Sequence, residues 1–279
     1  MPPEIVLAPQ ASLARPAAPP RRPTGSGGTW RRLLALALLL GAWEAYGRHV
    51  DNDLVFPSFT ETLRALIETT LSGELPLRIG ATLRSIVVGY AIGVALALLL
   101  TGLAAGSRFG TDLLSLLTAM FNPLPAIALM PLALLWFGLG NTALIFVTAQ
   151  SVLWAVALNA LSGFRAISPT LRMAGLNLGL SGWRLLYHIL LPAALPSLLA
   201  GLKIGWAYAW RTLIAAELVF GATSRSGGLG WFIAEHRNEL EIDKVFAGLL
   251  AVILVGLAIE IGVFQTIERR TVLRWGMQR

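Results

Sequence analysis

Thr82-Leu-Arg-Ser-Ile-Val-Val-Gly-Tyr-Ala-Ile-Gly-Val-Ala-Leu-Ala-Leu-Leu-Leu-Thr-Gly-Leu-Ala-Ala105 is an almost unbroken apolar run. Past Arg84 it carries no charge before Arg108. A helix needs about 20 apolar residues to cross the hydrocarbon core of a bilayer. In lipid a lone segment satisfies its own backbone polar groups only as a helix. The stretch is therefore predicted to be a transmembrane helix, and it sets the class of the chain: an all-α polytopic membrane protein. Composition agrees, because the 279 residues are 56% hydrophobic and 13% charged, where a soluble domain carries about a quarter charged residues.

Five more apolar segments lie outward from this one. They run from about Leu33 to Tyr46 (with Glu44 near its end), Leu113 to Phe137, Ala143 to Leu161, Leu195 to Phe220 and Val245 to Ile267. Six transmembrane helices are thus expected. The third is interrupted by Asn122-Pro123-Leu124-Pro125, and Pro131 follows. Helix breaks at such prolines either free carbonyls toward a pathway or serve packing. Residues 1–29 are rich in Pro, Ala and Arg with no periodic apolar face, so a disordered tail is expected there. They also lack the basic start, apolar core and cleavage site of a signal peptide.

The arginines give the orientation. Arg15, Arg21, Arg22, Arg31 and Arg32 precede the first span, Arg108 lies between spans two and three, and Arg165, Arg172 and Arg184 lie between spans four and five. Arg269, Arg270, Arg274 and Arg279 follow the last span, while the alternate loops carry Asp51, Asp53, Glu61, Glu68, Glu74, Glu235, Glu239, Glu241 and Asp243. Positive charge stays on the cytoplasmic side, so both termini are predicted cytoplasmic. The net charge of +7 is therefore a topology signal rather than a nucleic-acid footprint. The absence of cysteine excludes disulfides, thiolate metal sites and a cysteine nucleophile. Ser58 to Leu71 is amphipathic, with Leu63, Leu66 and Ile67 opposite Glu61, Arg64 and Glu68. It is either a helix on the outer face or one packed on a neighbouring span.

The loop before span five, about 163–192, carries the most information. Leu171 to Leu178 is expected as a short helix, stopped by Gly179 at a positive φ. Ser181 is expected to cap a second helix, Gly182 to Leu190, ended by Pro192. The pair is apolar enough to need a protein partner and basic enough to stay in the cytoplasm.

This spacing resembles the signature loop of permease subunits in binding-protein-dependent ABC importers. That pattern is Glu-Ala-Ala, three residues, Gly, nine residues, Ile, one residue, Leu-Pro, and Ala174, Gly179, Ile189, Leu191 and Pro192 stand at matching positions. Met173 replaces the glutamate and Gly175 the second alanine. An apolar docking contact is thus expected at Met173 instead of a salt bridge. Phe56-Pro57-Ser58, Gly73-Glu74-Leu75, Asn122 to Gly140, Ala215-Ala216-Glu217-Leu218 and Gly227-Gly228-Leu229-Gly230 extend the resemblance to the nitrate, sulfonate and taurine branch. It implies a type I ABC importer permease fold over residues 30–279, in the bacterial inner (plasma) membrane. It further implies a homodimer, two cytoplasmic ATPases that use ATP and Mg, a periplasmic substrate-binding protein, and alternating access. The chain itself would bind no cofactor. Its only lysines, Lys203 and Lys244, do not follow a glycine as a P-loop requires, so the ATPase is expected on a separate subunit.

Ionisable residues at membrane depth are costly and usually face a cavity or one another. Arg211, near mid-span, suits an oxyanion because its guanidinium fork donates two hydrogen bonds; otherwise it pairs with Glu217 or backbone carbonyls, or stabilises a dimer seam. Trp206 and Trp210, four apart on one helical face, line the pathway or pack. Glu217 is a gate or a packing partner, and Lys203 snorkels. Trp30, Trp43, Trp231 and Trp275 fit an interfacial belt. The 227–230 glycines read as a flexible external turn. His49, His188 and His236 show no metal-ligand spacing, and no catalytic constellation stands out. A secondary transporter driven by an ion gradient is the main alternative, but it has no use for the glycine-centred helix pair.

Overall fold

In the computed structural model, residues 27–105, 107–220, 227–268 and 270–271 are described, and every regular element among them is helical. The expected tail therefore lies outside the described residues up to 26, and Gly27 already opens the first helix, α1 (Gly27–Val50). Contacts divide the chain at Ala42. The described residues of the first unit are the N-terminal part of α1, whose leucines 33, 34, 36, 38 and 39 are exposed on all sides.

The second unit begins with the end of α1. Glu44 there accepts from the backbone N–H of Thr60 at 2.9 Å and from its hydroxyl at 2.9 Å. These bonds tie it to the start of α2 (Phe59–Leu71), which Ser58 and Glu61 open with a capping box. Then come α3 (Glu74–Ala104), α4 (Arg108–Phe121), a 3-10 turn (Ala126–Leu129) and α5 (Met130–Phe137). They are followed by α6 (Asn141–Arg165), α7 (Pro169–Asn177), α8 (Gly182–Leu185), a π-turn (Leu186–Leu190) and α9 (Leu191–Phe220). The chain continues with α10 (Leu229–Asn238), α11 (Ile242–Ile259), a second π-turn (Glu260–Phe264) and α12 (Gln265–Glu268).

Among the described residues, four helices are long and apolar enough to cross a membrane: α3, α6, the Leu186–Phe220 rod and the Ile242–Glu268 rod. The α4–α5 pair makes a fifth if counted as one broken span. α1 has 24 residues but carries Arg31, Arg32, Glu44 and Arg48, which set it apart in polarity. Helix α6 is the centre. It packs between α3 and α9, and small side chains let the backbones approach. A Cβ on Gly93 of α3 would lie 2.6 Å from the Ala149 carbonyl oxygen, and one on Gly201 of α9 would lie 2.7 Å from Asn159 Cβ.

The structure refines two expectations, on the third span and on α2, and corrects those on Pro131, Pro192 and Lys203. The expected interruption of the third span is present and sharp: α4 and α5 are bent by 88°. Pro123 and Pro125 supply no N–H to continue the ladder, while Pro131 sits harmlessly in the first turn of α5. Pro192 does not end a helix. The N–H of Leu191 bonds to Leu186 O, five residues back, and this wider turn carries the chain past the proline into α9. Lys203 does not merely snorkel, because its Nζ lies 2.6 Å from Glu260 Oε1. A pair costs less at this depth than two separate charges. Finally, α2 packs on α3 and α11, burying Thr62, Ala65 and Thr69. Leu66 joins that face, whereas Leu63 and Ile67 remain exposed.

Candidate functional site: a membrane cavity and a cytoplasmic turn

Where α4 breaks, a cavity of about 260 Å³ opens between the break, α6 and α9. Its wall includes Asn122, Pro123 and Pro125 from the break, Gln150, Ser151 and Trp154 from α6, and Tyr208, Arg211 and Thr212 from α9. Trp154 stacks on Phe121 at 5.0 Å between centroids, which fixes the wall on the α4 side. The indole N–H of Trp154 is buried there with no hydrogen-bond partner among the described residues. The Arg211 Nε donates to Ala207 O at 3.1 Å, and its Cζ stands 5.4 Å from the centre of the Tyr208 ring. Among the described residues no carboxylate lies within ion-pair distance of Arg211.

Of the four residues singled out in span five, only Arg211 reaches this cavity. Trp206 meets Tyr90 edge-on at 5.3 Å and Phe264 at 6.0 Å, beside a separate hollow lined only by apolar and aromatic residues such as Leu83 and Val87. Trp210 packs between two core clusters and over Gly256.

Glu217 is buried, at 2% exposure. Thr82 Oγ1 donates to it at 3.0 Å and the Gly230 N–H at 2.9 Å, while Thr82 Oγ1 accepts from the Leu229 N–H at 2.7 Å. The 227–230 segment is therefore clamped, not a flexible turn. A Cβ on Gly230 would lie 2.5 Å from Ile214 O. Arg78 adds a second fastening, donating to Gly227 O at 3.2 Å and to Glu235 at 3.1 Å, with its guanidinium 4.1 Å above the Trp231 ring. Arg78→Ala is expected to destabilise the purified protein by about 2 kcal/mol, read as a lower midpoint in a thermal melt in detergent. Trp231 thus serves this contact, and Trp43 packs on Phe59 at 5.5 Å. Trp275 lies outside the described residues.

His236, at the end of α10, meets Glu241 at 2.7 Å, Glu239 at 3.4 Å and Glu74 at 3.6 Å. Three of these groups, His236, Glu239 and Glu241, have the geometry to hold a cation. Lys244 already neutralises Glu241 at 2.8 Å, and it is the first cause holding that carboxyl below its ordinary range.

The cytoplasmic turn closes as the spacing demands. Gly179 has φ +75°, its N–H bonds to Leu176 O at 2.9 Å, and the Leu180 N–H reaches Gly175 O at 3.1 Å. These two bonds form a Schellman motif. Gly175 is buried against the second helix, where a Cβ would lie 2.5 Å from Leu185 Cδ1 and 3.2 Å from Ile189 Cγ1. The glycine that departs from the signature pattern therefore lets α7 lie closer on α8. Met173 (56% exposed), Leu171, Leu176 and Leu178 (76%) are left facing outward, and so is Ala174. Leu191 and Pro192 are half-buried at the start of α9.

Residues 89–271 match the family described as binding-protein-dependent transport system inner membrane component. The chain belongs to that family. It is a multi-pass inner-membrane permease component of a binding-protein-dependent ABC importer. The taurine transport system permease protein TauC of Escherichia coli is 30% identical over 244 residues, covering 84% of this chain and 86% of that protein. The putative aliphatic sulfonates transport permease protein SsuC of the same organism is 33% identical over 221 residues, covering 79% and 82%. The nitrate import permease protein NrtB of Synechocystis is 27% identical over 239 residues, covering 82% and 85%.

The matched segment of this permease contains both the turn and the cavity. Sequence reading missed Gln150, Ser151, Tyr208 and Thr212 as companions of Arg211, and Thr82 as the partner of Glu217. The adjacent polar pair Gln150-Ser151, midway along an otherwise apolar span, was the available signal.

Proposed function

We propose that two copies of this permease form the pathway of an ATP-driven importer for a small organic anion, sulfonate or taurine-like, with nitrate as the second choice. The α7–α8 turn docks in a groove on a separate cytoplasmic ATPase, one per permease. ATP binding closes the ATPases together, the helices rock, and the pathway opens toward a loaded periplasmic binding protein. Hydrolysis then returns it to the inward-facing state. Both termini lie in the cytoplasm. The observation that carries this reading is the set of exposed apolar side chains on α7 and its C-cap, held in place by the Gly179 turn on the arginine-rich side of the chain. A surface of Leu171, Met173, Leu176 and Leu178 has no reason to face water unless a partner covers it. The names of the relatives support the substrate class.

The test is growth of a gene-deletion strain on sulfate, taurine, alkanesulfonates, nitrate and ammonium as sole sulfur or nitrogen sources. The expected result is a defect confined to sulfonates, restored by the wild-type gene and not by a Gly179→Asp copy that still inserts in the membrane. Normal growth of the deletion strain on every source would remove the proposed substrate class. Full restoration by Gly179→Asp would remove the docking role.

A further inference from the structure

We propose that the cavity beside the broken helix is a selective anion-holding site inside the membrane, in which the Arg211 guanidinium grips the oxyanion head of the molecule in transit. The proposal rests on the permease reading above and adds to it a residue that sets specificity within this chain.

The argument begins with cost. A guanidinium in the middle of a membrane-length helix is expensive and is retained where it faces a cavity or a counter-charge. Arg211 has the cavity and, among the described residues, no counter-charge. Its Nε is tied to Ala207 O at 3.1 Å and its plane stands by the Tyr208 ring. Both contacts steady the group while leaving Nη1 and Nη2 without an acceptor among the described residues. That free pair of donors is the fork that matches sulfonate, nitrate and carboxylate oxygens.

The rest of the wall has the same preference. Gln150, Ser151, Thr212 and Asn122 offer neutral hydrogen-bonding groups, and among the described residues no carboxylate lines the cavity. A cation would therefore meet repulsion from Arg211, and a neutral solute would leave the guanidinium charge uncompensated. Size narrows the class further: about 260 Å³ falls just below the roughly 300–1,000 Å³ of pockets that bury drug-sized ligands. The occupant is a small oxyanion with at most a short organic tail. The break supplies the remaining condition, because α4 and α5 turn aside at Asn122 to Pro125 and leave room that a straight helix would fill.

The experiment uses the full permease assembled with its ATPase in lipid nanodiscs, without the binding protein. Binding of radiolabelled taurine, ethanesulfonate and nitrate is measured, and uptake of the same three is followed in the deletion strain carrying each variant. Wild type is expected to bind at least one of the three. Arg211→Gln should weaken that binding and the matching uptake about 10- to 100-fold, the loss expected for a charge-assisted hydrogen bond. The amount of assembled complex should stay unchanged. Arg211→Lys, which keeps charge but loses the fork, should fall between the two. Should Arg211→Gln fail to assemble, Thr212→Val with Gln150→Leu carries the test, with weaker binding of the same anion expected. Wild-type binding and uptake in Arg211→Gln would overturn the proposal and leave the importer reading standing. Equal losses in Arg211→Lys and Arg211→Gln, matched by a fall in assembled complex, would also overturn it, since that is the signature of a packing role. A deletion strain with no uptake defect for any of the three would instead remove the substrate class on which the proposal rests.

Discussion

Gly228→Val is expected to abolish accumulation of folded permease. A Cβ at this position would fall on Thr82 Oγ1 and on the Glu217 carboxylate, two groups that are themselves fully enclosed. Neither can retreat. Thr82 is held by the Leu229 N–H it accepts at 2.7 Å, and Glu217 by the Gly230 N–H at 2.9 Å. Admitting a branched side chain means pulling α10 away from α3 and α9 and stranding a carboxylate without its donors. The expected loss exceeds about 4 kcal/mol, the range reserved for buried charges left unpaired or cores forced apart. Glu217→Gln is the informative companion. It keeps the shape and some of the hydrogen bonding, so a loss of about 1–3 kcal/mol is expected. The yield of monodisperse protein in detergent and its thermal midpoint check both. Wild-type yield of Gly228→Val would mean that the clamp is not needed for folding.

Gly179→Val is expected to abolish coupled uptake while the protein still inserts. Nothing lies within 4 Å of a Cβ at this position, so space is not at issue. The φ of +75° is. A side chain there costs about 1–2 kcal/mol, and a β-branched one more, enough to open a turn held by two hydrogen bonds. Gly179→Asn should retain most uptake, because a short amide side chain visits this conformation readily. Gly179→Asp also fits the backbone, so its effect would come from a negative charge placed on the docking face. Co-purification of the ATPase with each variant should rank in the order Gly, Asn, Val. Equal uptake by the Val and Gly proteins would separate transport from the shape of this turn.

The two predictions differ in how visible their residues were. The Gly179 turn was legible because everything that makes it is local: a short apolar helix, a glycine, and a cap within a few positions. The membrane helices were legible for the same reason, since each satisfies its own backbone. The clamp was not. Thr82 and Glu217 are 135 positions apart, and neither carries a local pattern that names the other. Lys203 and Glu260 met in the same unannounced way. Pro192 misled because proline usually ends a helix, and only the π-turn behind it shows how the chain continues. Inside lipid, moreover, apolar side chains face outward and inward alike, so the periodicity that marks a buried face in a soluble protein is weak. Polarity out of place, as at Gln150 and Ser151, is the better guide.

One feature joins the two ends of the permease. From Leu186 the π-turn and α9 run on to Phe220 as one 35-residue helix. The docking turn sits at its foot and Arg211 some 25 residues further on, about 38 Å at helical rise. No loop intervenes to absorb a push. On the proposed reading, this helix is a connecting rod: a tilt imposed by the ATPase at the foot swings the guanidinium higher on the same rod in the same stroke. Grip and release of the anion would then keep time with the nucleotide cycle without a chain of relayed contacts. The π-turn, with Pro192 beside it, is the place where such a rod would bend.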